Sequence, residues 1–211
     1  MSDSQQDPQP DLRKVTTHRL QEMKESGIKI AALTAYDATM AELQEKHDSM
    51  LIATGVYKAR EIAAPGSGLG GIIKALDYLT ASNRTANFGD TVPEYESGEL
   101  NANGKKVVVI GGGDTAMDCV RTSIRQGANS VKCLYRRDRA NMPGSQREVQ
   151  NAEEEGVVFE WLSAPKGFTE EGGNVAGVMV QKMRLGAPDA TGRQAPEVIE
   201  GADYVEEADI V

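Results

Sequence analysis

The sequence predicts an α/β fold organised on a central parallel sheet, on the strength of three adjoining features of residues 105–139. Val107 to Ile110 is a β-branched run that enters a triple glycine, Gly111-Gly112-Gly113. About a dozen helix-compatible residues follow, with Ala116, Val120 and Ile124 at every fourth position, which gives a helix one apolar face to lay on a sheet. A second apolar run, Val131 to Tyr135, then ends in Arg136-Arg137. Strand, helix and strand at this spacing outline a βαβ unit, whose strands pair in parallel.

In chain order, residues 1–13 form a polar leader with the composition of a disordered segment. Residues 14–48 read as a short βα segment with a leading helix: Thr17 caps a helix that stops at Gly27, Ile28 to Leu33 is a strand, and Met40 and Leu43 mark a helix face. From residue 49 to residue 211 the chain is expected to form one domain. Met50 to Ala53 is a strand ending at Thr54-Gly55, Leu69 to Leu79 a helix, and Asn83 to Asn103 a polar connector into the βαβ unit. Gly127 stops the central helix. Beyond the unit, Ser145-Gln146-Arg147-Glu148 has the pattern of a capping box, opening a helix that runs to Glu155 and halts at Gly156; Glu153 to Glu155 reads as its solvated face. Val157 to Leu162 and Val175 to Leu185 are strands, separated by the turn-forming Glu170 to Asn174. Gly186 to Gly201 is a proline- and glycine-containing excursion, and Asp203 to Val211 begins another strand.

Composition narrows the function classes. The formal net charge of -9 argues against a general nucleic-acid or membrane-surface role. No apolar run approaches the ~20 residues that span a bilayer, and the polar, acidic N-terminus is unlike a secretory signal, so a cytoplasmic location is expected. Cys119 and Cys133 are not in a C-x-x-C arrangement and are read as buried structural thiols. His18 and His47 are read as surface residues. No metal site and no catalytic acid, base or nucleophile is expected.

The glycine turn carries the chemistry. Gly111 makes the tight turn out of the strand, Gly112 continues it, Gly113 lets backbone approach a pyrophosphate, and Ala116 permits close helix-to-strand packing. The helix N-terminus, with Asp114 placed to cap it and Thr115 beside it, presents N–H groups and a positive dipole end to phosphates. Glycine-rich turns also occur without ligands, but strand, amphipathic helix and second strand are all in place here. Where an NAD site carries an acidic residue at the end of the second strand, this chain has Arg136 and Arg137, which suit a 2′-phosphate through paired charge-assisted hydrogen bonds. The unit is therefore read as a Rossmann-like NAD(P)-binding domain, incomplete in this chain, with NADP(H) as cofactor. The alternative is a solvated basic turn partly neutralised by Asp138.

Longer stretches carry family resemblances. LIATGVYKAREI, GLGGIIKALDYLTASNR, VVVIGGGDTAMDCVRTSIRQGA, SVKCLYRRDRANMPGSQREVQNAEEEGV and MRLGAPDATGRQAP resemble the glutamate synthase small-subunit family of FAD- and NAD(P)-dependent flavoprotein oxidoreductases. The resemblance implies NADPH binding at Gly111 to Ala116 and at Arg136 and Arg137, a turn near the flavin at Thr54 and Gly55, and a flavoprotein or glutamate synthase large-subunit partner. For Thr54-Gly55 a simple strand-ending turn is the equal alternative. The resemblance implies FAD for the complete family; no FAD-binding glycine turn is found in this chain. Separately, VTTHRLQEMKESG and KIAALTAYDATMA, within residues 14–45, resemble the N-terminus of ketopantoate hydroxymethyltransferase, without that family's metal ligands or catalytic residues. Two partial likenesses meeting near residue 48 suggest a hybrid chain. The expected function is the NADPH-binding portion of an oxidoreductase that delivers hydride to a flavin for glutamate synthesis; the alternatives are a hydroxymethyltransferase-like fragment or a catalytically inactive fusion fragment.

Overall fold

A computed structural model describes residues 62–190 and 192–211, together with residues 22, 25 and 26. The chain forms two units, Met1–Tyr57 and Lys58–Val211. In the first, Glu22 and Glu25 are helical and the Ser26 N–H donates to Glu22 O at 2.9 Å. The leader, most of the βα segment at residues 14–48, and Thr54-Gly55 lie outside the described residues.

The second unit begins with helix α1 (Ala75–Phe88) and the short α2 (Pro93–Glu96). The βαβ unit follows as β1 (Lys106–Ile110), α3 (Asp114–Arg125) and β2 (Ser130–Tyr135). Helix α4 (Gln146–Glu154) leads to β3 (Val158–Trp161), then β4 (Ser163–Glu171), β5 (Asn174–Pro188), β6 (Gln194–Val198) and β7 (Tyr204–Glu207). Strands β1, β2 and β3 pair in parallel in that order, with Ile110 opposite Leu134 and Tyr135 opposite Trp161. Val107 bridges Ile210 and the Val108 N–H donates to Ile210 O at 3.0 Å, so the last residues run parallel to β1 on its other side. Strand β5 is long enough to pair antiparallel with β4, β6 and β7.

Strand alternation sorts the core onto two sides of the parallel sheet. Val107, Val131 and Cys133 pack with Ala116, Met117, Cys119 and Val120 of α3 and with Val149 and Ala152 of α4. Val108 and Leu134 point the other way, onto Phe168, Val175, Val178 and Val180 of the antiparallel strands. The sheet is thus covered by helices on one face and by β-structure on the other. Tyr78 joins α1 to the helical layer: its hydroxyl lies 3.0 Å from Ser123 Oγ and donates to Gln126 Oε1 at 2.9 Å.

Several local expectations are corrected. The helix expected over Leu69 to Leu79 starts only at Ala75, because the preceding backbone is committed to sheet-like pairing. Gly70 N–H donates to Gly173 O at 3.1 Å, and Val211 N–H donates to Gly71 O at 2.9 Å. The same helix runs to Phe88, into the expected connector. The excursion at residues 186–201 contains β6, whose pairing with β5 forms a hairpin. The pattern at Ser145 to Glu148 forms no side-chain cap on α4. Glu148 is instead taken by Arg121 of α3. Glu155 likewise accepts from Arg121 and Arg125 at 2.8 and 2.9 Å, and Glu153 from Arg139, so two of the three glutamates expected on a solvated face make interelement ion pairs. Partial burial pushes the Glu155 carboxyl up, but the two guanidinium groups outweigh it and hold the group below its ordinary value.

Both cysteines are buried and free, as read from the sequence. Burial pushes each thiol up from 9.0 to about 12. The unfolded chain ionises these thiols above its ordinary value while the native chain keeps them protonated, so the native state binds more protons there. Stability is expected to fall as pH rises from 9.0 toward about 12, and Cys119→Ser/Cys133→Ser should flatten that fall in urea titrations. A second outcome concerns the layer contact. Leu134, 1% exposed, should cost about 2–5 kcal/mol when changed to Ala, measured by chemical denaturation.

Candidate functional site

The C-terminal ends of β1 and β2 lie side by side and carry both parts of the expected site. The first part is the glycine turn. Gly111 has φ +153°, and a Cβ there would lie 3.4 Å from Ala116 Cβ, so turn and helix approach closely at the two positions that the sequence marks with small residues. Gly112 is buried against the Tyr135 ring, whose carbons would lie 2.5 Å from an added Cβ. Around Gly113 the corresponding space is open.

Helix α3 starts at Asp114 with Gly113 as its N-cap, and no side chain caps it. Ala116 and Met117 N–H donate back to Gly113 O at 3.0 and 3.3 Å. Among the described residues, no protein acceptor faces the N–H groups of Gly113, Asp114 or Thr115. These are the donors that a helix N-terminus offers to an anion. The expectation that Asp114 caps the helix is therefore corrected. It occupies the first helical position, one residue too late to turn its carboxylate onto those donors, and its Oδ1 accepts from Ser145 N–H at 3.1 Å instead.

The second part is the arginine pair just beyond β2. Arg136 is exposed and Arg137 partly buried. Among the described residues neither guanidinium has an ion pair, and Arg137 Nε is buried without a hydrogen-bond partner. Arg139, the third arginine of the same turn, is engaged by Glu153 at 2.8 and 2.9 Å. Among the described residues Asp138 makes no ion pair with either arginine; its Oδ1 accepts from the Asn141 N–H at 3.0 Å and from Asn141 Nδ2 at 2.7 Å. The Arg137 backbone is held from β3: Leu162 N–H donates to Arg137 O at 3.0 Å. Leu162 does so with φ +52°, a left-handed conformation costly for a branched side chain.

The geometry thus places Gly111, Gly112, Gly113, Asp114, Thr115 and Ala116 at the C-terminal end of the parallel sheet, beside the strand end that leads into Arg136 and Arg137. It also recruits Tyr135, Gly144 and Leu162, which sequence reading passed over. Gly144 N–H donates to Gly112 O at 2.9 Å. The Pro143-Gly144 pair is the turn signal that could have pointed to Gly144, but nothing in the sequence says where that turn lands. Among the described residues, no group of three or more His, Cys, Asp or Glu is placed to hold a metal, and no helix is long and apolar enough to cross a membrane.

Residues 9–190 match the pyridine nucleotide-disulphide oxidoreductase family, a span that begins well before residue 48. The chain belongs to this family. It is 63% identical over 198 residues to a putative glutamate synthase [NADPH] small chain of Cereibacter sphaeroides, covering 93% of this chain and 47% of the relative. It is 66% identical over 175 residues to the glutamate synthase [NADPH] small chain of Azospirillum brasilense, covering 83% of this chain and 36% of the relative. The chain therefore spans about half or less of these relatives' lengths. Among solved structures, FprA of Mycobacterium tuberculosis in complex with NADPH superposes with a TM-score of 0.60 at 18% identity, over 81% of this chain and 50% of that one, which shows a shared fold.

Two neighbouring glycines should respond differently to the same methyl group. Gly112→Ala is expected to lower the melting temperature, because its Cβ would enter the Tyr135 ring. Gly113→Ala, at φ -93° and in open space, is expected to leave the melt unchanged while weakening nucleotide binding in a titration.

Proposed function

We propose that this chain is the NADPH-binding portion of a glutamate synthase small-subunit-like oxidoreductase, located in the cytoplasm. The observation that carries this is the pair of unpartnered guanidinium groups just past β2, next to the strand whose glycine turn opens onto uncapped N–H groups. A buried guanidinium nitrogen without a partner is costly unless a ligand completes it. The residues present therefore fit a nucleotide that carries both a pyrophosphate and a further phosphate.

On this assignment the N–H groups of Gly113, Asp114 and Thr115 hold the pyrophosphate, helped by the dipole of α3. Gly111 and Ala116 set the close turn, and Gly112 lets the turn lie on Tyr135. Arg136 and Arg137 take the 2′-phosphate, which a guanidinium pairs with through parallel donors. Bound NADPH supplies a hydride, for which a flavin is the acceptor in this proposal. The described residues build one glycine turn of this strand-to-helix kind, so the flavin is assigned to other parts of the protein, with Thr54 and Gly55 near it. A large subunit is the proposed partner, by analogy with the relatives' names as small chains.

Calorimetric titration of the full chain with NADPH and NADH side by side tests the assignment. Preferential NADPH binding is expected. Arg136→Ala/Arg137→Ala should weaken NADPH by about 10- to 100-fold, the worth of charged hydrogen bonds, and NADH little. Equal losses for both nucleotides would refute the role given to the arginines.

A further inference from the structure

The segment between β2 and α4 is fastened at two places. Near its middle, the Tyr135 hydroxyl donates to Asn141 O at 3.0 Å, and Asp138 Oδ1 accepts the Asn141 N–H at 3.0 Å. At its far end it is seated on the glycine turn itself. Gly144 N–H donates to Gly112 O at 2.9 Å, and Ser145 N–H donates to Asp114 Oδ1 at 3.1 Å. The fit at this end is close: a Cβ on Gly144 would lie 3.0 Å from Gly112 O and 3.5 Å from Asp114 Oδ1. Arg136 and Arg137 stand at the root of this fastened segment.

Asp114 is an odd choice for a residue at an anion site. A carboxylate in the first turn favours the helix, yet it also repels the phosphates that the same turn is assigned to bind. Its bond to Ser145 gives it a different task, for which an acceptor oxygen is needed and the negative charge is not. Asparagine has that oxygen and alanine does not.

We propose that Asp114 is a positioning residue for nucleotide selectivity. Its Oδ1 clasps the Gly144–Ser145 end of the segment to the glycine turn and so fixes the arginine pair relative to the pyrophosphate donors. This rests on the NADPH assignment above.

The test titrates the full chain and its Asp114→Asn, Asp114→Ala and Gly144→Ala forms with NADPH and NADH, alongside hydrogen exchange of the Ser145 amide. Asp114→Ala should speed exchange at Ser145 and cut the preference for NADPH over NADH about fivefold, the worth of one ordinary hydrogen bond. Gly144→Ala should lower the same preference by pressing the segment off Gly112. Asp114→Asn should keep both the exchange protection and the preference, with both nucleotides held at least as tightly as before. A wild-type preference for NADPH that survives unchanged in Asp114→Ala and Gly144→Ala overturns the clasp and leaves the nucleotide assignment standing. Asp114→Asn losing the preference as fully as Asp114→Ala also overturns it, because charge and not the bond would then be responsible. Wild-type chain that binds neither nucleotide overturns the NADPH assignment and the clasp's selectivity role together.

Discussion

Val107 and Val108 are neighbours in the chain and are buried on opposite sides of one strand, and the rest of the domain follows from that constraint. One side demands helices α3 and α4, and the other demands the antiparallel strands. With Cys133 and Leu134 repeating the same division on β2, a register slip between β1 and β2 would exchange the two cores. The position of the glycine turn beside the end of β2 is fixed by that register. Gly111 N–H donates to Leu134 O at 3.1 Å, so the turn cannot leave β1 without also being anchored to β2.

The candidate site is thus made from groups that the fold leaves unsatisfied. Helix α3 starts on a glycine and so has no side chain to occupy its first donors. Arg139 and Arg121 are consumed by glutamates of α4 and the residue after it, while Arg136 and Arg137 are spared. Helix–helix electrostatics therefore sorts the basic residues into structural and available ones. A left-handed leucine just past β3 holds the Arg137 carbonyl through its N–H, beside the candidate site.

Sequence patterning was a good guide where the signal is local. The strand–glycine–helix–strand order, the apolar face of α3, its stop at Gly127, whose φ is +87°, and the burial of both cysteines were all legible. It misled where a side chain had two possible partners. Ser145 and Glu148 have the spacing to satisfy each other, yet a guanidinium from α3 outcompetes a backbone N–H for Glu148. Asp114 looked like a cap because the helix boundary was placed one residue late. The helix near Leu69 was placed early because Gly70 and Gly71 give no sign in sequence of pairing with residues more than a hundred positions away.

By itself the sequence determined the βαβ unit, the glycine turn and the basic end of β2, because each depends on side-chain periodicity or backbone freedom within a few turns of chain. Only the tertiary structure decided which arginines remain unpaired, that the second face of the sheet is covered by β5 and its partners, and that Gly144 and Ser145 close onto Gly112 and Asp114. Those outcomes depend on which distant groups meet, and such meetings are set by packing two faces of one sheet at once rather than by any local pattern.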